Sequence, residues 1–166
     1  MESLADRVLS LTLNDEPEQL RVLLEERFSF EEPWSARTPE GCAAGHVAAH
    51  EGSACLEVLL ENGMPATYMS SGHTPLHFAC QSGQVDSVSL LVDRFPSDAD
   101  CETTSGHTPL MVCIEVLHGD EARAAACARI LLRAHADPSR PASGKAWTSH
   151  VRNMSTQASA TPGGRW

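Results

Sequence analysis

The chain repeats itself, and repetition constrains a fold more than composition does, because each copy must meet the same kind of neighbour. From Gly72 the sequence runs GHTPLHFACQSGQVDSVSLLV. Thirty-four residues on, from Gly106, it runs GHTPLMVCIEV, and Leu131-Leu132 follows. Thirty-one residues before Gly72, GCAAGHVAAHEGSACLEVLLENG begins at Gly41. With Gly41, Gly72 and Gly106 aligned, His46, His77 and Met111 share one position, and Ala48, Ala79 and Cys113 another. Gly52 falls on Gly83, and leucine pairs recur at Leu59-Leu60, Leu90-Leu91 and Leu131-Leu132. A weaker copy comes first, with a turn at Asn14-Asp15 and the leucines in Glu18 to Glu25. Each unit reads as a short helix, a turn, a second helix ending in the leucine pair, and a loop.

One unit shows the local chemistry. Gly72 suits a backbone position of positive φ. Thr74 is placed to cap a helix with its hydroxyl, and Pro75 then falls at the first helical position, where a missing N–H costs nothing. Leu76, Ala79 and Cys80 form a narrow apolar stripe at helical spacing, small enough for a neighbouring helix to come close. Gly83 ends that helix. The second helix offers Val85, Val88, Leu91 and Val92 on one side. No such pair can bury its face alone; stacking removes it from water, at about 1.5–3 kcal/mol per fully buried Leu or Val side chain. Stability is expected to be a sum over neighbours.

Composition narrows the class. The 166 residues are 42% apolar, 20% charged and only 5% aromatic, so the core must rest on Leu, Val and Ala. The longest apolar runs are a few residues, far from the roughly 20 that span a bilayer. The N-terminus has no basic region or long apolar stretch, so no secretory signal is read there. The formal charge of −10 argues against direct nucleic-acid binding, which needs a basic face for phosphate. Six cysteines without a close C-x-x-C pair read as reduced thiols, and a cytoplasmic or nuclear location is expected. The sequon Asn153-Met154-Ser155 is then a chance match.

Thr74-Pro75-Leu76-His77 and Thr108-Pro109-Leu110, each after Gly and His, together with the leucine pairs and Ala136-Asp137-Pro138, resemble the ankyrin repeat. The resemblance covers roughly residues 1–138, strongly from 41 on. It implies an all-α solenoid of about four helix-turn-helix repeats: a divergent capping unit over 1–33, then repeats within 34–138 at about 41–63, 72–95 and 106–136. In that family the motif histidine hydrogen-bonds within the turn network, a role carried to His77 and His46. Such arrays catalyse nothing and bind partner proteins through a concave groove and loop tips. The groove positions here are Val47, His50 and Glu51, then Phe78, Gln81 and Ser82, then Val112, Glu115 and Val116. The tips are Tyr68, Met69 and Ser70, and Glu102, Thr103 and Thr104. Phe78 either anchors a partner or packs on a neighbouring tip, and Trp34 poses the same choice. Within the family the role ranges over adaptor or scaffold, substrate-recognition subunit of a ubiquitin ligase, and inhibitor masking a transcription factor's basic segment. No apolar helical box follows for a ligase, and the acidic front suits the inhibitor.

Departures from the pattern carry expectations of their own. Ala43, Ala44 and Gly45 replace Thr-Pro-Leu in the Gly41 unit, removing a cap worth about 1 kcal/mol, and Thr38-Pro39 upstream is expected to cap instead and lengthen the helix. The last unit has Met111 for His and an insertion near Val116–Ala124; the run from Glu121 reads as a lengthened second helix. The loop Phe95–Ser105 is slightly long. Periodicity stops after Asp137, and 139–166 reads as a disordered tail. It carries Arg140, Lys145, Arg152 and Arg165 and no acid. No polar capping repeat closes the array, so its last face is exposed, covered by the tail, or covered by a partner.

Rival chemistries find little purchase. His46…His50 and His73…His77 have H-x-x-x-H spacing, which can hold zinc on one helix face, but His46 and His77 occupy the repeat's own histidine position and no zincin Glu adjoins. No metal, cofactor, membrane or small-molecule substrate is expected. Cys55, Cys80 and Cys113 read as small apolar packing residues, and Cys101, on a loop, as the exposed thiol. No nucleophile elbow, phosphate loop or dinucleotide fingerprint occurs.

Overall fold

The computed structural model describes residues 3–25, 33–67, 69–70, 72–116 and 120–139. Among these lie eight α-helices: α1 (Leu4–Leu13), α2 (Pro17–Glu25), α3 (Ala44–Glu51), α4 (Cys55–Glu61), α5 (Pro75–Ser82), α6 (Val85–Arg94), α7 (Pro109–Val116) and α8 (Glu121–Arg133), with a 3-10 turn at Pro96–Asp100. Each unit is the helix pair that the repeat predicts. The tail positions 140–166, Tyr68, and the insertion at 117–119 lie outside the described residues.

The first helices pack in a row, α1 on α3 on α5 on α7, and behind them α2 meets α4 and α6 meets α8. One continuous apolar cluster runs from Val8 in the first pair to Leu131 in the last. Small residues make the close approach possible: Ala48, Ala49, Ala79, Cys80 and Cys113 on the first helices are all fully buried, Cys113 against α8. Leu20, Leu56, Leu59, Leu91 and Leu131 are the deeply buried leucines of the second helices, with Leu60 and Val92 close behind. Leu90 is only half-buried, so the third unit's core pair is Leu91-Val92, one residue on from the pair that sequence alignment suggests. Trp34 is 8% exposed and belongs to the core, which settles it as a packing residue.

The ends of the helices follow local chemistry. Ser3 caps α1, accepting from the Asp6 N–H at 3.1 Å, and Asp120 caps α8 through the Arg123 N–H at 3.2 Å. Gly83 ends α5 at φ 69°, in the left-handed region that favours glycine. At 13 residues, α8 outruns α6 at 10 and α4 at 7, as its Ala-rich run predicts. The expected lengthening of α3 does not occur. The helix begins at Ala44 behind an uncapped Ala43, and Thr38 Oγ1 instead accepts from the Cys42 N–H at 3.2 Å within its own turn. Pro39 therefore belongs to that turn, and α3 keeps the eight-residue length of α5.

Candidate docking face

The face begins with the turns that aim it. Residue 74 precedes the first turn of α5 in extended conformation, and Pro75 opens the helix. The Thr74 N–H donates to His77 Nδ1 at 3.2 Å, and Thr74 Oγ1 stands 2.8 Å from the same nitrogen. An accepting Nδ1 leaves the proton on Nε2, which donates to the His107 carbonyl of the next unit at 3.0 Å. Burial pushes the imidazole's pKa down to about 4, against the opposite pull of that carbonyl. His46 does the same one unit earlier, its Nε2 donating to the His73 carbonyl at 3.1 Å. The role implied for both histidines is thus what the structure shows. In the α7 unit Met111 stands at the position of the motif imidazole. Met111 instead pairs within its own turn, Sδ accepting from the Thr108 N–H and its N–H donating to Thr108 Oγ1, each at 3.4 Å.

Successive tips hook together. Ser70 Oγ donates to the Gly41 carbonyl, and the Thr104 N–H donates to the Gly72 carbonyl at 3.1 Å. Gly72 has φ 79°, and a Cβ there would strike the Thr104 side chain, so both its conformation and its size are used.

Above this frame the positions named from sequence divide. His50, Glu51, Gln81 and Glu115 are exposed on α3, α5 and α7, and Val47, Phe78 and Ser82 are half-buried beside them. His50 Nδ1 lies 3.0 Å from Glu51 Oε1, and His107 Nε2 lies 3.9 Å from Glu115 Oε2. Ser82 Oγ donates to the Phe78 carbonyl at 3.0 Å. Val112 is 9% exposed and sits below the surface. At the tips Met69, Glu102 and Thr104 are exposed, whereas Ser70 and Thr103 are buried, Thr103 Oγ1 accepting from the His107 N–H at 3.0 Å. Those two build the tips rather than present them. Tyr68 and the Val116 side chain lie outside the described residues.

Sequence reasoning missed what surrounds Phe78. His46, His50 and His73 all stand around it in T-shaped arrangements, with centroids at 5.2, 6.4 and 6.0 Å and ring planes 71–79° apart. The two H-x-x-x-H pairs contained this signal, since stacking brings the first pair beside the second. Their convergence is aromatic. Among the described residues no three His, Cys, Asp or Glu side chains are grouped as a metal ion would need.

The thiols depart from expectation at one position. Cys55, Cys80 and Cys113 are buried packing residues as expected, and Cys127 joins them. Cys101 is not the exposed thiol. It is half-buried, 3.5 Å from Thr74 Oγ1 and 4.0 Å from His77 Nδ1, and burial pushes its pKa up. The loop before it is drawn inward by the 3-10 turn, whose Ala99 is 2% exposed. No helix among the described residues is long and apolar enough to cross a membrane.

A family model for ankyrin repeats, three copies long, matches residues 10–104 and again 46–142, so the two matches span most of the sequence. With its stacked helix pairs, forward-reaching histidines and hooked tips, this chain belongs to the ankyrin repeat family, whose members are generally protein-interaction modules.

Proposed function

We propose that the chain is a non-enzymatic docking module, an adaptor or scaffold that holds a partner protein against the faces of α3, α5 and α7 and the adjoining tips. The observation that carries this reading is the division of labour just described. The repeat-defining side chains, His46, His77, Leu76 and Thr108, are buried and spent on the stack, while His50, Glu51, Gln81 and Glu115 on the same helices are exposed. Phe78 is the aromatic of this face, half-buried among polar neighbours and Val47, and of the kind that anchors interfaces. All six cysteines are free thiols, which supports a reducing compartment, cytoplasm or nucleus.

A photo-crosslinking residue placed at Gln81 in cells should capture a partner, and the same residue at Asp93, on the far side of α6, should not. Capture lost on Phe78→Ala in a chain of unchanged helicity supports the reading. Equal capture from both positions, or none at Gln81, overturns it.

A further inference from the structure

The arginines of the array are distributed unevenly. No Lys or Arg occurs between Arg37 and Arg94, nor between Arg94 and Arg123. Among the described residues, α3, α5, α7 and the tips between Gly63 and Thr108 therefore carry no permanent cation. Arg21, Arg94, Arg123, Arg129 and Arg133 all stand on second helices. Carboxylates are present on the first helices and tips: Glu102 exposed at a tip, Glu51 and Glu115 on α3 and α7, with side chains 68% and 50% exposed, while at the tip before α3 exposed Glu40 is matched by exposed Arg37. The array up to residue 137 has 22 acids against eight arginines, a formal −14, so its long-range field has the same sign as its docking face.

We propose that the partner held on this face is cationic: an arginine- or lysine-rich segment of another protein, laid across α3, α5 and α7 with one cationic side chain on the Phe78 ring and others reaching Glu51 and Glu115. The inference rests on the docking reading and names the class of its partner. Placement and charge agree on the chemistry. Phe78 lies between the helices that bear the two carboxylates, so an extended segment crossing the stack meets acid, aromatic and acid in turn. A guanidinium is attracted to an aromatic ring and hydrogen-bonds carboxylates in the same extended geometry. Glu51 and Glu115, beside His50 and His107, keep their side chains exposed to an incoming segment. An anionic segment would meet like charge at both flanks, with no Lys or Arg on α3, α5 or α7 to receive it.

The test uses the full chain and three labelled ten-residue peptides, alternating alanine with arginine, glutamate or glutamine, read by fluorescence anisotropy. The arginine peptide should bind and the other two should not. Phe78→Ala and the pair Glu51→Gln/Glu115→Gln should each weaken binding about tenfold. The pair Glu57→Gln/Asp86→Gln, exposed on second helices, should leave it unchanged. The glutamine pair at 51 and 115 changes only surface groups, so it reads the proposal even if Phe78→Ala fails to fold. Equal weakening by the second-helix pair would mean diffuse charge attraction and overturns the proposal. Phe78-dependent binding of the glutamate or glutamine peptide overturns the cationic class while leaving the docking reading intact. A full chain with Arg140, Lys145, Arg152 and Arg165 all changed to Gln separates a further source. If that chain binds the arginine peptide tenfold or more tightly, the face is filled by the protein's own tail, and the proposal of a partner in trans falls.

Discussion

At the scale of a residue, His77 is the most informative side chain in the stack. Its imidazole is wholly buried, accepts at one nitrogen and donates from the other, and stays neutral with a pKa of about 4 instead of 6.5. Because the folded pKa is depressed, the unfolded chain binds the proton first as pH falls. The stabilisation is therefore complete above pH 6.5 and drains away between 6.5 and 4, with about 2 kcal/mol lost by pH 5. Urea denaturation at pH 7.5 and pH 5 should show a smaller pH difference, by about that amount, for His77→Met than for the unmodified chain. Met is the residue the last repeat itself uses there. At pH 7.5 the variant should be less stable by about 1 kcal/mol, for the lost bond to the His107 carbonyl. The position of this histidine was legible in sequence, because three aligned units exposed it. The ring cluster at Phe78 was not, because it is assembled from His46, His50 and His73 on two units, and pairing across a stack needs the register between helices as well as the order along them.

At the scale of an element, the α5–α6 pair was readable because it is bracketed by its own punctuation, Thr-Pro before, Gly between and leucines after, and its neighbours because they align with it. Reading failed where punctuation was ambiguous. Thr38-Pro39 has the letters of a helix start, yet the turn around Gly41, with φ 88°, uses Thr38 as its acceptor and α3 starts late. A leucine pair misplaced by one residue in α6 has the same origin, since three apolar residues in a row, Leu90 to Val92, leave the register open until packing chooses. Helix ends also hold room for improvement. After α8 the chain turns through His135 at φ 66°, a left-handed conformation that an L side chain adopts at a cost, where the equivalent turn after α4 uses Gly63 at φ 87°. His135→Gly should raise stability by about 1 kcal/mol, seen as a higher urea midpoint with unchanged slope. Thr108→Ala should lower it by about 1 kcal/mol, since Met111 N–H then loses its cap.

At the scale of the whole molecule, the stack is a one-dimensional object with unlike ends. Its outermost faces keep apolar side chains half out of water. At one end a cleft of about 460 Å³ is lined by Leu11, Val22 and Leu23 with Arg7 and Glu18. At the other, Ile114 is only half-buried where the matching Ala49 and Cys80 are wholly buried. Terminal pairs have one neighbour and inner pairs two, so amide hydrogen exchange should release α7 and α8 before α3 and α5. Leu91→Ala, which hollows an inner contact, should cost 2–5 kcal/mol, about what one core leucine loses when a cavity is left. Cross-repeat ion pairs add little: Glu61 meets Arg21 at 3.0 Å and Arg94 at 3.9 Å, but all three are partly exposed.

The forward lean of the buried imidazoles gives the molecule a direction. Peel away α7 and α8, and the His77 donor loses its acceptor while the rest of its surroundings stay dry, a penalty of roughly 1–3 kcal/mol carried inward. Peel away α1 and α2, and neither His46 nor His77 is stranded. Damage at one extremity thus strands a buried imidazole farther in, whereas damage at the opposite extremity leaves both imidazoles on their acceptors.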